Sequence, residues 1–145
     1  DSNTWNNTAP TSSVFTLGTN FQNTSTWVGY CFANSDIIKV GSYVGNGSAD
    51  GPYIHLNFRA SWIMIKKSSA GGDNWTIYDT ARDPDNVTRE YLIPNSSQAA
   101  ASTDTYDILS NGFKIRTSGA WVNTSGATYI YLAIGSTPFK HSTAR

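Results

Sequence analysis

The sequence predicts an all-β protein, an antiparallel β-sandwich with a jelly-roll-like arrangement. Aromatic residues make up 13% of the 145 residues, including five Trp and eight Tyr. Charged residues make up only 14%, against about 25% in an average soluble domain. Segments rich in β-branched and aromatic residues recur about every 10 to 15 residues between turns rich in Gly, Asn and Ser. A chain of this length can bury a hydrophobic core of its own.

Nine segments have the character of strands, and two of them are the most informative. In residues 112–117, Phe113 and Ile115 alternate with Lys114 and Arg116, which predicts one buried and one solvated face. Residues 128–134 are apolar on both faces, which predicts a central strand. The other seven segments are 13–17, 26–32, 37–43, 53–58, 62–67, 75–79 and 89–92. The one helix candidate is residues 95–102, where an Asn-Ser pair precedes a run of Ala, so we expect one short helix or none.

Two parts of the chain share a pattern. Residues 14–32 and 112–134 each hold a strand candidate, a polar loop with Asn-Thr-Ser, and an aromatic-rich strand candidate. We therefore expect two β-hairpins, and we divide the chain into an N-terminal extension, residues 1–35, and a β-sandwich module, residues 36–145. In one interpretation, the extension resembles the closing hairpin of a preceding repeat and packs on its own or a neighbouring subunit. In the other, both hairpins belong to one sandwich.

Composition and spacing argue against several function classes. Ten basic residues balance ten acidic ones, so no electrostatic attraction to nucleic acid is expected. No apolar run approaches the ~20 residues that span a bilayer. Glu90 is the only glutamate, and the cluster of Asp79, Asp83 and Asp85 is more typical of a polar turn than of a pair of catalytic acids. The two histidines, His55 and His141, belong to no recognisable triad.

The glycine-rich loop at residues 46–51 offers oxygen ligands but lacks the pattern of an EF-hand loop, so a hairpin loop is favoured over a Ca²⁺ site. We therefore predict no catalytic residue, no metal site and no cofactor. Seven Asn-x-Ser/Thr sequons follow from the abundance of Asn, Ser and Thr and carry little weight.

The aromatic residues are the stronger functional lead, because an exposed Trp in a polar surrounding often anchors a protein interface or a sugar ring. Trp5 lies in a polar N-terminal segment and Trp121 in the loop 118–123. We expect subunit contacts at aromatic residues of loops and termini: Trp5, Phe21, Trp121 and Phe139. If the ligand is a glycan, the candidates are Trp121 with Asn123 or Tyr129.

One long stretch resembles a known kind of module. It begins GSYVGNGSADGPYIHLNFRASWIMIKK and continues through NWTIYDTARDP, DILSNGFKIRT and NTSGATYIYLAIGSTPFK. It resembles β-rich modules of unknown function near the C-termini of tail-fibre-like virion proteins of marine bacteriophages. The opening PTSSVFTLGTN resembles the last hairpin of the module that precedes them.

The resemblance implies a non-enzymatic structural module of a virion, in a tail fibre, head fibre or decoration layer. Its expected partners are copies of itself and other virion proteins, with host-surface attachment as a further role. No nucleic-acid or membrane partner is expected, and the expected location is the virion or the extracellular space. Two alternatives are a carbohydrate-binding adhesin and a subunit of an extracellular filament.

Overall fold

The computed structural model describes residues 2–21 and 26–136. The chain divides into two compact units, residues 1–31 and 32–145. We call them the N-terminal unit and the sandwich unit, and each is described by itself.

The sandwich unit consists of two four-stranded antiparallel sheets, which confirms the predicted fold class. The strands are β1 (Ile38–Val44), β2 (Tyr53–His55), β3 (Ala60–Lys67), β4 (Thr76–Asp79), β5 (Thr88–Tyr91), β6 (Ala101–Leu109), β7 (Gly112–Ile115) and β8 (Thr128–Gly135). Sheet 1 has the order β1-β8-β3-β4 and sheet 2 the order β2-β7-β6-β5. Strand β8 returns to pair with β1, and β7 with β2, so the ends of the sandwich unit's chain meet in both sheets.

The core lies between the inner faces of the two sheets and is rich in aromatic rings. Phe113 and Ile115 of β7 are fully buried, as their alternation predicts. The ring of Phe113 meets Tyr106 and Tyr131 edge to face, with centroids 5.6 and 5.7 Å apart. Strand β8 pairs with β1 on one side and β3 on the other, so it is the predicted central strand. Edge-to-face contacts add to the burial of such rings, so they help to fix the spacing of the sheets.

The helix candidate at residues 95–102, for which the sequence predicted one short helix or none, is not helical. Strand β6 begins within it at Ala101. Tyr106 and Ile108 of β6 are buried at alternate positions, so packing against the core outweighs the helix propensity of the preceding Ala run. Within the described residues, the α-helices are the short α1 (Ser2–Trp5) and α2 (Ala120–Asn123), and none is long and apolar enough to cross a membrane.

The two predicted hairpins are also wrong. Residues 2–21 and 26–31 contain α1 and a 3₁₀ turn at Thr19–Phe21 but no strand. In the second copy, β7 belongs to sheet 2 and β8 to sheet 1, and the connection 116–127 crosses between the sheets. The physical reason is that a lone two-stranded hairpin is marginal in water, whereas a strand that is apolar on both faces gains most as the centre of a sheet.

Candidate interaction surface

Backbone hydrogen bonds shape the N-terminal unit. The amide of Gly18 donates to the carbonyl of Thr4 at 2.8 Å, and the amide of Phe21 donates to the carbonyl of Gly18 at 3.1 Å. The amide of Thr8 donates to the carbonyl of Trp5 at 2.9 Å, which closes the turn after α1. These bonds bring Trp5 and Phe21, 16 positions apart in the chain, into one small unit.

The N-terminal unit presents an apolar groove of about 530 Å³. Trp5 meets Phe15 edge to face with ring centroids 6.4 Å apart, and Phe21 meets Trp27 in the same way at 4.9 Å. We define the apolar groove by the large side chains that line it: Trp5, Phe15, Leu17, Phe21, Trp27, Val28 and Tyr30.

These side chains are unusually accessible for their size. Trp27 is 52% exposed, Val28 75% and Tyr30 82%. A compact unit that ends at residue 31 is too small to bury so many large apolar side chains within itself. Contiguous exposed apolar surface of this kind is typical of sites of contact with another molecule.

The chemistry of the groove favours a protein partner over a sugar. None of the described residues that line it is charged, and the other lining residues are Pro10, Gly29 and Cys31. A sugar site needs convergent polar side chains that bind hydroxyl groups as well as an aromatic surface. The groove is therefore suited to apolar side chains of another protein surface.

Trp5 and Phe21, two of the predicted contact residues, lie in this groove, whereas Trp121 does not. Trp121 is partly buried against the core of the sandwich unit, and its indole N–H donates to the hydroxyl of Tyr78 at 3.4 Å. Its ring covers Gly119 so closely that a side chain at that position would collide with it. Trp121 therefore holds the β7–β8 connection on the core, which corrects its assignment as a surface contact.

The proposed glycan candidates Asn123 and Tyr129 are fully buried, which removes them from any surface site. The amide of Asn123 donates to the carbonyls of Ser48 and Thr117 at 2.7 and 2.8 Å. Its side-chain oxygen accepts from the amide of Asn46 at 2.8 Å. It thereby clamps the β1–β2 loop to the β7–β8 connection. Phe139 lies outside the described residues.

Tyr129 also holds the β7–β8 connection in place. Its hydroxyl donates to the carbonyl of Ala120 at 2.6 Å and accepts from the amide of Thr124 at 2.8 Å. Both bonds lie at the ends of α2, so the short helix is held by a buried ring rather than by its own length.

Three core tyrosines are held in the neutral form. Burial raises the pKa of Tyr78 to about 12, and it also raises the pKa of Tyr43 and Tyr106. A phenolate in the apolar core would lose its hydration without a compensating positive charge, so the neutral form is strongly preferred. These groups act as packing and hydrogen-bonding elements.

Two aspartates of the cluster singled out in the sequence, Asp79 and Asp83, have structural partners. Asp79 accepts from the amide of Arg82 at 2.8 Å and pairs with its guanidinium at 3.1 Å. Asp83 accepts from the amide of Arg89 at 2.6 Å. The favoured interpretation as a polar turn is confirmed. The structure brings no group of three or more His, Cys, Asp or Glu together for a metal among the residues it describes.

The remaining groove residues Phe15, Leu17, Trp27, Val28 and Tyr30 were missed because the pattern assigned them to strands. The sequence held one indication of their exposure. Apolar residues occupy both faces of these two segments, as in a central strand, but nothing in the sequence placed either segment at the centre of a sheet. Cys31 is also exposed and lines the groove.

A family described as a domain of unknown function (DUF7483) matches residues 1–138. The chain belongs to the DUF7483 family. The DUF7483 match covers the apolar groove as well as all eight strands of the sandwich unit. No curated protein and no solved structure gives a significant match.

Proposed function

We propose that this DUF7483 domain is a non-enzymatic structural module that assembles with copies of itself through the apolar groove of its N-terminal unit. Its proposed setting is a phage virion, as part of a tail fibre, head fibre or decoration layer, next to other virion proteins. The observation that carries the assembly role is the exposure of Trp27, Val28 and Tyr30 around one groove. The setting rests on the resemblance to virion modules.

The overall charge supports self-association. The chain carries ten basic and ten acidic residues, so copies do not repel each other through net charge. Complete burial of an exposed large apolar side chain contributes about 1.5 to 3 kcal/mol of favourable free energy. Several half-exposed side chains together supply enough free energy for a specific contact when each copy makes more than one contact in the assembly. Each further contact then forms at a high effective concentration.

The carbohydrate-binding alternative has less support. Two of the residues chosen for it, Asn123 and Tyr129, are fully buried, and Trp121 is engaged with the core. The filament alternative agrees with the same groove and differs in symmetry. A contact between two different surfaces extends without limit unless the rotation closes it into a ring.

The test is the mass of the full chain in solution, measured by size-exclusion chromatography with light scattering over a range of concentrations. The groove variant carries Val28→Lys and Tyr30→Lys, at the two most exposed groove residues. The matched control carries Tyr53→Lys and Thr103→Lys, at exposed positions of the sandwich unit. Both variants add the same charge, so a difference between them reports the position.

We expect wild type and control to form the same assembly and the groove variant to associate at least tenfold more weakly, because buried lysines would lose their hydration. A fixed small number of subunits supports a closed virion-type oligomer, and open-ended growth supports a filament. A monomeric wild type, or a groove variant that assembles like the control, would refute the proposal.

A further inference from the structure

The sequence contains two Asn-Gly pairs, Asn46-Gly47 and Asn111-Gly112. An asparagine before glycine loses its side-chain amide readily, because glycine has no side chain to keep its backbone nitrogen away from the asparagine. Both asparagines are exposed to water, which supplies the base and the hydrolysing water for this reaction. Protection of either site therefore has to come from hydrogen bonding rather than from burial.

The reaction is an internal substitution at the side-chain amide. The backbone nitrogen of Gly47 gives up its proton and attacks Cγ of Asn46, so a new C–N bond forms and closes an imide ring. The bond from Cγ to the side-chain nitrogen breaks, and that nitrogen leaves as ammonia with the proton. Water then opens the ring at one of its two carbonyls and leaves a carboxylate, so residue 46 becomes aspartate or isoaspartate.

The side-chain amide of Asn46 is held at both of its ends. Its oxygen accepts from the backbone amide of Ser48 at 3.0 Å and from the side-chain amide of Asn123 at 3.1 Å. Its nitrogen, the atom that would leave, donates to the carbonyl of Asp50 at 2.9 Å. Ring closure draws this group onto the nitrogen of Gly47 and expels its own nitrogen, so it requires these bonds to break.

The attacking nitrogen is held by the same clamp. The amide of Gly47 donates to the carbonyl of Asn123 at 3.0 Å, and a proton in such a bond reaches a base in solution only when the loop opens. Asn123 is fully buried and donates to the carbonyl of Thr117 at 2.8 Å, so its own position is fixed. One residue thus bonds both of the groups that would have to react.

Asn111 provides a reference in the same chain. In the part of the chain that the structure describes, its side chain has one hydrogen bond, accepted from the hydroxyl of the exposed Tyr53 at 2.8 Å. The bonds of Asn123 go to the β1–β2 loop and to Thr117, and none goes to Asn111. Any effect of Asn123 should therefore act on Asn46 and spare Asn111.

We infer that Asn46 is a latent site of deamidation, which Asn123 keeps chemically intact. Both products lack the nitrogen that donates to the carbonyl of Asp50, and both add a negative charge to a chain with ten basic and ten acidic residues. The isoaspartate product also lengthens the backbone next to Gly47, whose bond to Asn123 depends on the present geometry. A single opening that lasts long enough for the reaction therefore makes the release of the β1–β2 loop permanent.

The test follows amide loss at Asn46 and Asn111 in the full chain at pH 8, by peptide mass spectrometry with fragment ions that locate each change. It compares folded wild type, wild type unfolded in urea, Asn123→Ala and Asn86→Ala. Asn86 bonds the backbone amide and carbonyl of Ile108, so Asn86→Ala is a matched control that removes side-chain bonds without touching the β1–β2 loop. Asn123→Ser, which keeps a hydroxyl for the buried backbone groups, is a milder second variant.

We expect Asn46 to react at least tenfold more slowly in folded wild type than in urea. Its rate should rise at least tenfold in Asn123→Ala and at least threefold in Asn123→Ser, while the rate at Asn111 stays within twofold. The Asn86→Ala control should leave both rates within twofold of wild type.

Equal rates at Asn46 in folded and unfolded wild type would overturn the inference, and this comparison does not require any variant to fold. A rate at Asn46 that stays at the wild-type value in Asn123→Ser would also overturn it. So would a rise in the folded Asn123→Ser protein that Asn111 or the Asn86→Ala control matches, because unfolding of the whole sandwich unit would then set the rate.

Discussion

Replacement of Asn123 tests whether this residue is a structural clamp. In Asn123→Ala, the amide of Asn46 and the carbonyls of Ser48 and Thr117 lose their side-chain partner. Each hydrogen bond contributes about 1 kcal/mol net, so we expect a loss of about 3 kcal/mol in the free energy of unfolding. That is a large part of the 5 to 15 kcal/mol typical of a domain. Urea unfolding followed by Trp fluorescence measures it.

Asn123→Asp sharpens the test, because it keeps one oxygen but points the other at the carbonyls of Ser48 and Thr117. Those carbonyls raise the folded-state pKa of the new carboxyl group above about 3.9, its usual value. A raised pKa gives stability that is present below the unfolded pKa and lost as pH rises through the folded one. The Asp variant should therefore recover stability, relative to the Ala variant, between pH 7 and pH 4.

The clamp would be refuted by a loss below about 1 kcal/mol in Asn123→Ala, or by an Asp variant as stable as wild type at pH 7. Either result would mean that the β1–β2 loop is held by its backbone contacts, such as the bond from the amide of Gly47 to the carbonyl of Asn123 at 3.0 Å.

Two further predictions follow from burial. Trp121→Ala should lower the free energy of unfolding by about 2 kcal/mol, because part of a large core side chain is lost. Trp5→Ala should change the free energy of unfolding of the sandwich unit by less than about 0.5 kcal/mol. Equal effects of the two substitutions would contradict the different roles assigned to these residues. Because burial raises the pKa of Tyr43, Tyr78 and Tyr106, stability is intact below pH 10, the unfolded value, and falls above it. By pH 11 each of these tyrosines should lower the free energy of unfolding by about 1.4 kcal/mol, or about 4 kcal/mol for the three. Equal free energies of unfolding in urea at pH 9 and pH 11 would contradict this prediction.

The sequence predicted the strands that its periodicity marks clearly. Strand β7 alternates without interruption, and β8 is apolar on both faces, so their places in the sandwich could be inferred. Strand β6 was missed because its first half, Ser102 to Asp104, is exposed and polar and follows an Ala run. Periodicity also does not tell which strands pair, which is why β7 and β8 were joined in one hairpin although they lie in different sheets.

The candidate site was predicted only in part. Trp5 and Phe21 were found because large aromatic residues are unusual in polar segments. Trp121 and Asn123 were misassigned because a loop that folds down onto the core has the same composition as one that faces water. The same holds for Asn86, which begins one of the Asn-x-Ser/Thr sequons. Its side chain accepts from the backbone amide of Ile108 and donates to the carbonyl of Ile108, and no sequence pattern indicated this structural role. Such partners are distant in the chain and only the fold reveals them.

The central claim is that the apolar groove is covered when copies of the chain associate. Cys31, the only cysteine, is exposed and lines that groove, so its thiol reports coverage without any substitution. The direct measurement is the rate at which an aromatic disulfide reagent labels this thiol as the protein concentration rises. We predict that the rate per thiol falls at least fivefold over the range in which the mass increases. A constant rate across that range would contradict the account.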